Sequence, residues 1–367
     1  MRFTSLVFAF LSAILVLSTS PRFALAWGDE GHEIVCQIAY LELSPSARQH
    51  VDALIAQDTQ FREFAKSCTW PDHPRQRPSE HFLNVDRSAK QVDPAQPCGG
   101  AAKCVVSAIV NDTRDLAASP DGAEALRLMK SIGHWVGDVH QPMHVSYEDD
   151  RGGNKVYVTG PCDDNLHSVW DTCILNETIG PDANSVAIDL RSEVTPQDRT
   201  NWIPSDITLD ALLGWADESL AISRSPDVEY CILKGDVCQY DESRVKYDNQ
   251  QTRSVVVDQS YLQRQSDTVR TRLKMAGIRL GALLEKVFGE NDQVVAARSL
   301  REFSLKQIVE ARNTPTAPVG QRQLPTLTRT LMVPAIQPAV DARQQEVDDL
   351  TARVKELEAQ IAVLKGQ

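Results

Sequence analysis

Residues 134–144 read His-Trp-Val-Gly-Asp-Val-His-Gln-Pro-Met-His, and the rest of the chain is organised around them. Upstream, Ala123 to Lys130 is rich in Leu, Met and Ala, so helical periodicity carries on into this stretch. His134 and Asp138 are four apart, which puts both side chains on one helical face. Pro142 cannot donate a backbone hydrogen bond and disfavours helix at Gln141, so the helix stops there. His144 then lies just past the break, free to turn back toward the same face. A second His-x-x-x-Asp pair follows at His167 and Asp171. Imidazole and carboxylate at helical spacing, twice over, is the ligand chemistry of a zinc site.

The chain has 367 residues, enough for one large domain or two ordinary ones, and a globular composition of 42% hydrophobic and 24% charged residues. Residues 1–26 differ from the rest. Arg2 precedes an apolar run from Leu6 to Leu17, and the stretch ends in Ala24-Leu25-Ala26. That pattern is a secretory signal peptide with an Ala-x-Ala cleavage site, its apolar core too short to span a bilayer. Cleavage after Ala26 makes Trp27 the first residue of a secreted or periplasmic protein. It also takes the net charge from −12 to −14, because Arg2 and Arg22 leave and no acid does. So acidic a protein has no general attraction for nucleic acid or anionic membranes, and recognition of phosphate must be local. No later stretch is suited to stable membrane insertion. Two sequons, Asn111-Asp-Thr113 and Asn176-Glu-Thr178, are glycosylation acceptors only in a eukaryotic secretory route.

Eight cysteines in an exported chain point to disulfides, and eight allow 105 pairings. Cys98 with Cys104, Cys162 with Cys173, and Cys231 with Cys238 would close short loops. Cys36 with Cys68 would tie the amino-terminal helix to the segment before Asp72.

Trp27-Gly-Asp-Glu-Gly-His32 leads into a helical pattern at Ile34, Ile38, Ala39 and Leu41, and Ser44-Pro45 opens another helix, with Ser44 as N-cap. Residues 67–75 and 87–104 read as loops, with helices over 104–118 and 121–141. Asp149 to Asn154 is a turn. Val156-Tyr-Val-Thr reads as half of a short β-hairpin. Helix returns over 207–223 and 251–312, where Leu273, Ala276, Leu280, Leu283 and Leu284 form one stripe. Prolines 315, 318, 325, 334 and 338 make residues 313–338 a linker. In the last segment, 339–367, Val347, Leu350, Val354, Leu357, Ile361 and Leu364 alternate by three and four. This is either a parallel dimeric coiled coil, a homo-oligomer through residues 347–364 with Arg353 facing Glu358, or an amphipathic helix docked on its own domain.

In order, the potential metal ligands are the Trp27 α-amino group, His32, Asp72, His81, His134, Asp138, His144, His167 and Asp171, which include five of the eight histidines. Their order and spacing, in the segments WGDEGH, WPDHPR, HFLN, HWVGDVHQPMH, GGN and HSVWD, resemble the zinc-dependent single-strand nucleases, a group that includes the fungal nucleases S-one and P-one and the plant bifunctional nucleases. The resemblance covers roughly Trp27 to Arg312. It implies a mainly α, phospholipase C/nuclease-like helical domain over 27–312, with the linker and coiled-coil helix after it. It also implies three Zn²⁺: one held by Asp72, His81, His134 and Asp138, one by His144, His167 and Asp171, and one by the amine and carbonyl of Trp27 with His32, bridged to the first by Asp138. An amide nitrogen is a poor ligand and a free amine a good one, so signal cleavage would complete the site.

Three Zn²⁺ against three carboxylates leave a formal charge of about +3, a concentrated positive site suited to a phosphate ester. The implied chemistry is hydrolysis by zinc-bound water, with no side-chain nucleophile, of single-stranded DNA or RNA and of 3′-nucleotides. Phe82 matches the family's base-stacking aromatic, and Asn154 matches the residue of the Gly-Gly-Asn turn that hydrogen-bonds the base. Two departures stand out. Where the family has an Asp that helps activate water, this chain has Asn84, with Asp86 nearby. The Cys98–Cys104 loop carries Lys103 and no acid where fungal members read the base. Arg75 orients Asp72, touches phosphate or forms a surface salt bridge; His50, His73 and His140 match no ligand position. Rival readings are a zinc phospholipase C-type lipid phosphodiesterase, disfavoured by the short Trp27–His32 spacing and by Asp171 as last ligand, and a secreted binding protein with structural zinc.

Overall fold

The computed structural model describes residues 27–162, 165–235, 237–239 and 254–289. By its contacts the chain divides into two units, 1–296 and 297–367, and all described residues belong to the first. The signal peptide, the linker and the coiled-coil segment expected from the sequence lie outside the described residues.

The unit is mainly helical. In chain order its helices are α1 (Asp29–Glu42), α2 (Pro45–Ile55), α3 (Phe64–Ser67), α4 (Val105–Ala118), α5 (Gly122–His140), α6 (Leu166–Ser168), α7 (Ile174–Thr178), α8 (Ala183–Ser192), α9 (Pro196–Trp202), α10 (Leu209–Ser223) and α11 (Gln259–Phe288). Six three-residue strands accompany them: β1 (Leu83–Val85), β2 (Val145–Tyr147), β3 (Tyr157–Thr159), β4 (Ile232–Lys234), β5 (Val237–Gln239) and β6 (Ser254–Val256).

Local chemistry fixes the helix ends. Ser44 caps α2 as expected, its hydroxyl accepting from the Ala47 amide at 3.3 Å, and Thr195, Thr208 and Asp258 cap α9, α10 and α11 in the same way. Helix α5 ends at His140, and Pro142 starts a 3₁₀ turn that carries His144. From Leu128 to His140 every residue of α5 is buried. A helix enclosed on all sides can bury His134 and Asp138 only if something inside the protein satisfies them.

The long helix α11 packs most extensively on α1. The two approach closely because Gly277 and Gly281 face α1: a Cβ at Gly277 would lie 2.5 Å from Ile38 Cβ. Leu273, Ala276, Leu280, Leu283 and Leu284, the stripe read from the sequence, are all buried there. Helix α11 begins at Gln259, so the helix expected from 251 gives way to a strand over Ser254–Val256.

A second correction concerns residues 156–159. The stretch forms β3, whose ladder partner is β6, paired in parallel about 100 residues downstream, and of the expected hairpin it keeps an isolated antiparallel bridge between Tyr157 and Asn165. The antiparallel hairpin is β4–β5. Strands β1 and β2 also pair in parallel, Leu83 opposite Val145. This pair positions the site: β1 starts two residues after His81, and β2 starts immediately after His144. All four cysteine pairings come out as the sequence suggested, Cys36–Cys68, Cys98–Cys104, Cys162–Cys173 and Cys231–Cys238. No described helix is long and apolar enough to cross a membrane.

Candidate metal centre

Eight of the side chains singled out in the sequence converge in one buried cluster. Helix α1 contributes His32 from its first turn. The turn after α3 contributes Asp72, and the turn before β1 contributes His81. Helix α5 contributes His134 and Asp138, the 3₁₀ turn after it His144, and α6 with the π-helical turn that follows His167 and Asp171. Asp138 sits at the centre. Its Oδ2 is 3.3 Å from His81 Nδ1 and 3.4 Å from His134 Nε2, and its Oδ1 is 3.5 Å from both His32 Nε2 and His144 Nδ1. Asp72 lies 3.6 Å from both His81 Nδ1 and His134 Nε2. On the far side, His167 Nε2 is 3.1 Å from His144 Nε2 and 3.5 Å from Asp171 Oδ2.

The imidazole tautomers decide what this cluster holds. His134 Nδ1 lies 2.8 Å from Cys68 O, His144 Nδ1 2.5 Å from His81 O, His167 Nδ1 2.6 Å from Gly152 O, and His81 Nε2 2.8 Å from Gln76 O. A carbonyl can only accept, so each of these nitrogens carries the ring's proton. The other nitrogen of each neutral ring is then a bare lone pair. Those lone pairs face one another, His134 Nε2 and His81 Nδ1 at 3.0 Å and the His144–His167 pair at 3.1 Å.

Burial keeps the rings neutral. It pushes His81 down to about 3 and His167 to about 4, and depresses His32, His134 and His144 well below the usual imidazole value. Burial likewise raises Asp72 to about 6, against the pull of Arg75, and raises Asp138 well above the carboxylate range, with Asp72 adding to the effect. Both Asp138 oxygens, Asp72 Oδ1 and both His32 nitrogens are buried with no hydrogen-bond partner. Bare imidazole nitrogens and buried carboxylates around shared points form a donor set for a cation. Three groupings bring their ligand atoms within 4.8 Å of one another: His32, His134 and Asp138; Asp72, His81 and His134; His144, His167 and Asp171. Ligands bonded at roughly 2.0–2.1 Å to a tetrahedral zinc stand about 3.3 Å apart. The lateral distances here, 3.0–3.8 Å, fit that spacing.

Trp27 is fully buried at the edge of this cluster. The amide of Gly28 donates to Asp171 O at 2.9 Å, which sets the segment that opens α1 against the second His/Asp pair. Phe82 and Asn84 flank His81 and are only half-buried. Phe82 is therefore no core residue. Asn154 is half-buried too, in the turn that supplies Gly152 O to His167, and its amide donates to Arg151 O at 2.7 Å. Gly152 has φ +65° and Gly153 φ +82°, and a Cβ at Gly152 would run into the Met143 carbonyl, so this turn requires glycine. Asp86, the acid nearest Asn84 in sequence, is exposed and caps Ser88.

Several supporting residues escaped the sequence reading. Gly137 lies where a Cβ would come within 2.7 Å of His32 Nδ1. Gly133 lets the Cys36–Cys68 bridge lie directly on α5. Gln141, fully buried, donates to Asp171 and accepts from the Met143 amide. Trp135 meets His81 and His134 edge-on and donates to Asp112, which also binds Arg77. The Gly residues were visible in the HWVGDVH segment, but only the packing of α1 against α5 gives them a role. His140, read as structural or solvated, is fully buried, with Nδ1 on Val136 O and Nε2 accepting from Arg279.

Comparison with known proteins agrees with this geometry. The chain is 28% identical over 284 residues to Endonuclease 2 of Arabidopsis thaliana, covering 72% of this chain and 91% of that protein. It is 34% identical over 175 residues to Nuclease S1 of Aspergillus oryzae, covering 44% and 58% respectively. It is 30% identical over 224 residues to Nuclease P1 of Penicillium citrinum, covering 53% and 80%. The family model for the S1/P1 nucleases matches residues 27–289, beginning at Trp27 and ending with α11, and the chain belongs to that family.

Proposed function

We propose that this chain is an exported, zinc-dependent phosphoesterase that hydrolyses single-stranded DNA or RNA and 3′-nucleotides. The observation that carries the reading is the set of neutral, buried imidazoles whose bare nitrogens face one another around Asp138. Without a cation those lone pairs and the buried carboxylate repel, and three zinc ions would turn the repulsion into coordination. Asp72, His81, His134 and Asp138 would hold one ion, His144, His167 and Asp171 a second, and His32 with the amine and carbonyl of Trp27 the third, Asp138 bridging the first and third. When bound, zinc supplies Lewis-acid charge and lowers the pKa of a coordinated water toward about 7.

The protein's own residues do the rest. The carbonyls of Cys68, Gln76, His81 and Gly152 fix the tautomer and orientation of four imidazoles. Arg75 is near enough for its charge to act on Asp72, His81, Asp138, His144 and His167, and in this reading that charge also helps to attract a phosphate. Phe82 offers a half-exposed ring for base stacking, and Asn154 a side chain for the base edge. Asn84 can orient water or phosphate by hydrogen bonding but cannot take a proton, so proton removal at that position is absent. Export is supported by the fully paired cysteines and by the exposed sequon residues Asn111 and Asn176. The domain proper is taken as 27–312, followed by the linker and a coil that would pair copies through residues 347–364.

The test is metal analysis of the mature protein together with release of phosphate from 3′-AMP, of nucleotides from single-stranded DNA and of phosphocholine from lecithin. Three zinc ions with the first two activities, all lost on chelation, are expected. Phosphocholine release alone would select a lipid phosphodiesterase. Bound zinc with no hydrolysis would select a structural site.

A further inference from the structure

One ion pair near the metal centre involves no ligand. His73 Nε2 lies 2.8 Å from Asp29 Oδ1, with both side chains a little under half exposed. Asp29 is the first residue of α1, two positions after Trp27, and His73 directly follows Asp72. The pair thus ties the turn that carries the start of the mature chain to the turn that carries Asp72. The same two segments are joined a second time by the Cys36–Cys68 disulfide, two helical turns further along α1. The covalent bond fixes the body of the helix, while its first turn relies on Asp29–His73, on the Gly28 amide bonded to Asp171 O and on the burial of Trp27. A chain terminus is ordered only where it is tied down.

We propose that Asp29 and His73 form a latch that holds the amino terminus in the metal centre, acting as positioning residues for the terminal ligand, while the other two ion positions are built by the ligands on α5, α6 and the turns beside them. The inference rests on the three-zinc reading above. Neither residue is a ligand in that reading, so their loss removes no donor. Exposed pairs of this kind contribute modestly, so their loss is read as a change in metal retention of roughly two- to fivefold.

The experiment follows zinc release from the mature, zinc-loaded protein after addition of a chelator, in wild type, Asp29→Ala, Asp29→Asn, His73→Ala and the Asp29→Ala/His73→Ala double variant. One of three equivalents leaves faster in each alanine variant by roughly two- to fivefold, the other two leave at the wild-type rate, Asn at position 29 restores part of the retention, and the double variant is no worse than either single one. Labelling of the terminal amine by an acylating reagent in metal-free protein is faster in the alanine variants, a readout independent of zinc. Unchanged release and labelling in both single variants overturn the latch. Acceleration of all three equivalents together also overturns it, because that marks a general loosening of the fold. Wild-type protein that takes up no zinc overturns the functional reading and the latch with it, so the two failures are told apart.

Discussion

Gly137 shows how much of this site depends on what is missing from a side chain. It lies one residue before Asp138, and its bare Cα is what lets the His32 imidazole reach the cluster from α1. Gly137→Ala improves helix propensity by roughly 1 kcal/mol, yet the added methyl meets a buried ring, and overpacking of this kind costs about 1–3 kcal/mol. The variant is expected to lose the zinc equivalent assigned to His32 and to unfold at lower temperature than wild type; a variant with full metal content and unchanged melting would show that His32 is not held there. Asn84 makes the opposite case, a residue whose chemistry falls short of its place. Under the proposed function Asn84→Asp restores a proton acceptor beside His81. Turnover of 3′-AMP should then rise by roughly 10–100-fold, a fraction of what a positioned general base provides. An unchanged kcat would mean that Asn84 already does what the position requires. At this scale the sequence was informative where ligand types recur at helical spacing, as in His134/Asp138 and His167/Asp171. It was silent about Gln141 and Gly137, whose roles exist only once Asp171 and His32 are brought beside them.

Among the elements, α5 carries His134 and the central Asp138, and its carboxy-terminal end is held by charge as well as by packing. Arg272 and Arg279 on α11 are nearly fully buried and share Glu218 on α10 at 2.6–2.8 Å. Arg272 also donates to the His140 carbonyl, and Arg279 to His140 Nε2. Burial lowers Arg272 to about 10, with Glu218 working against that shift. Removing Glu218 would leave two buried cations with nothing opposing them. Glu218→Ala should therefore destabilise the domain by about 3 kcal/mol, the lower end for breaking a buried pair because Glu218 is itself partly exposed. Equilibrium denaturant unfolding checks this, and a loss below about 1 kcal/mol would reduce the network to an ordinary surface contact. Elements long enough to show a period, α1, α2, α4, α5, α10 and most of α11, were legible in the sequence, and so were the start of α2 and the end of α5, through Ser44 and Pro142. Of the strands, β3 alone was foreshadowed, at Val156-Tyr-Val-Thr, and its partner was not. Three residues carry no readable alternation, and β1–β2 and β3–β6 are parallel pairings between distant segments, which no local turn announces.

Taken whole, the molecule places a cluster of bare nitrogens and carboxylates inside an acidic protein, and its protonation should report on its cargo. Asp72 is raised to about 6, so in metal-free protein it is mostly protonated near pH 5.5 and ionised near pH 8. Its ionised form is the one that would bind a cation. His81 and His167, depressed to about 3 and about 4, are neutral at both values and contribute no protons in either condition. Zinc uptake should therefore release more protons at about pH 5.5 than at about pH 8, measured by calorimetry in buffers of different ionisation enthalpy. Equal release at the two values would separate Asp72 from the metal. The family was legible in the sequence because its His- and Asp-bearing segments are specified by residue type and order. The Cys36–Cys68 bridge then draws two distant segments together, while the other three disulfides close short loops.

The most direct test of the central claim is an anomalous difference map, recorded at the zinc edge, from crystals of the mature protein beginning at Trp27. Three peaks are expected, one among Asp72, His81, His134 and Asp138, one among His144, His167 and Asp171, and one beside His32 and the Trp27 amine. A map with no peak inside this cluster, or with zinc only at other positions on the molecule, would contradict the account.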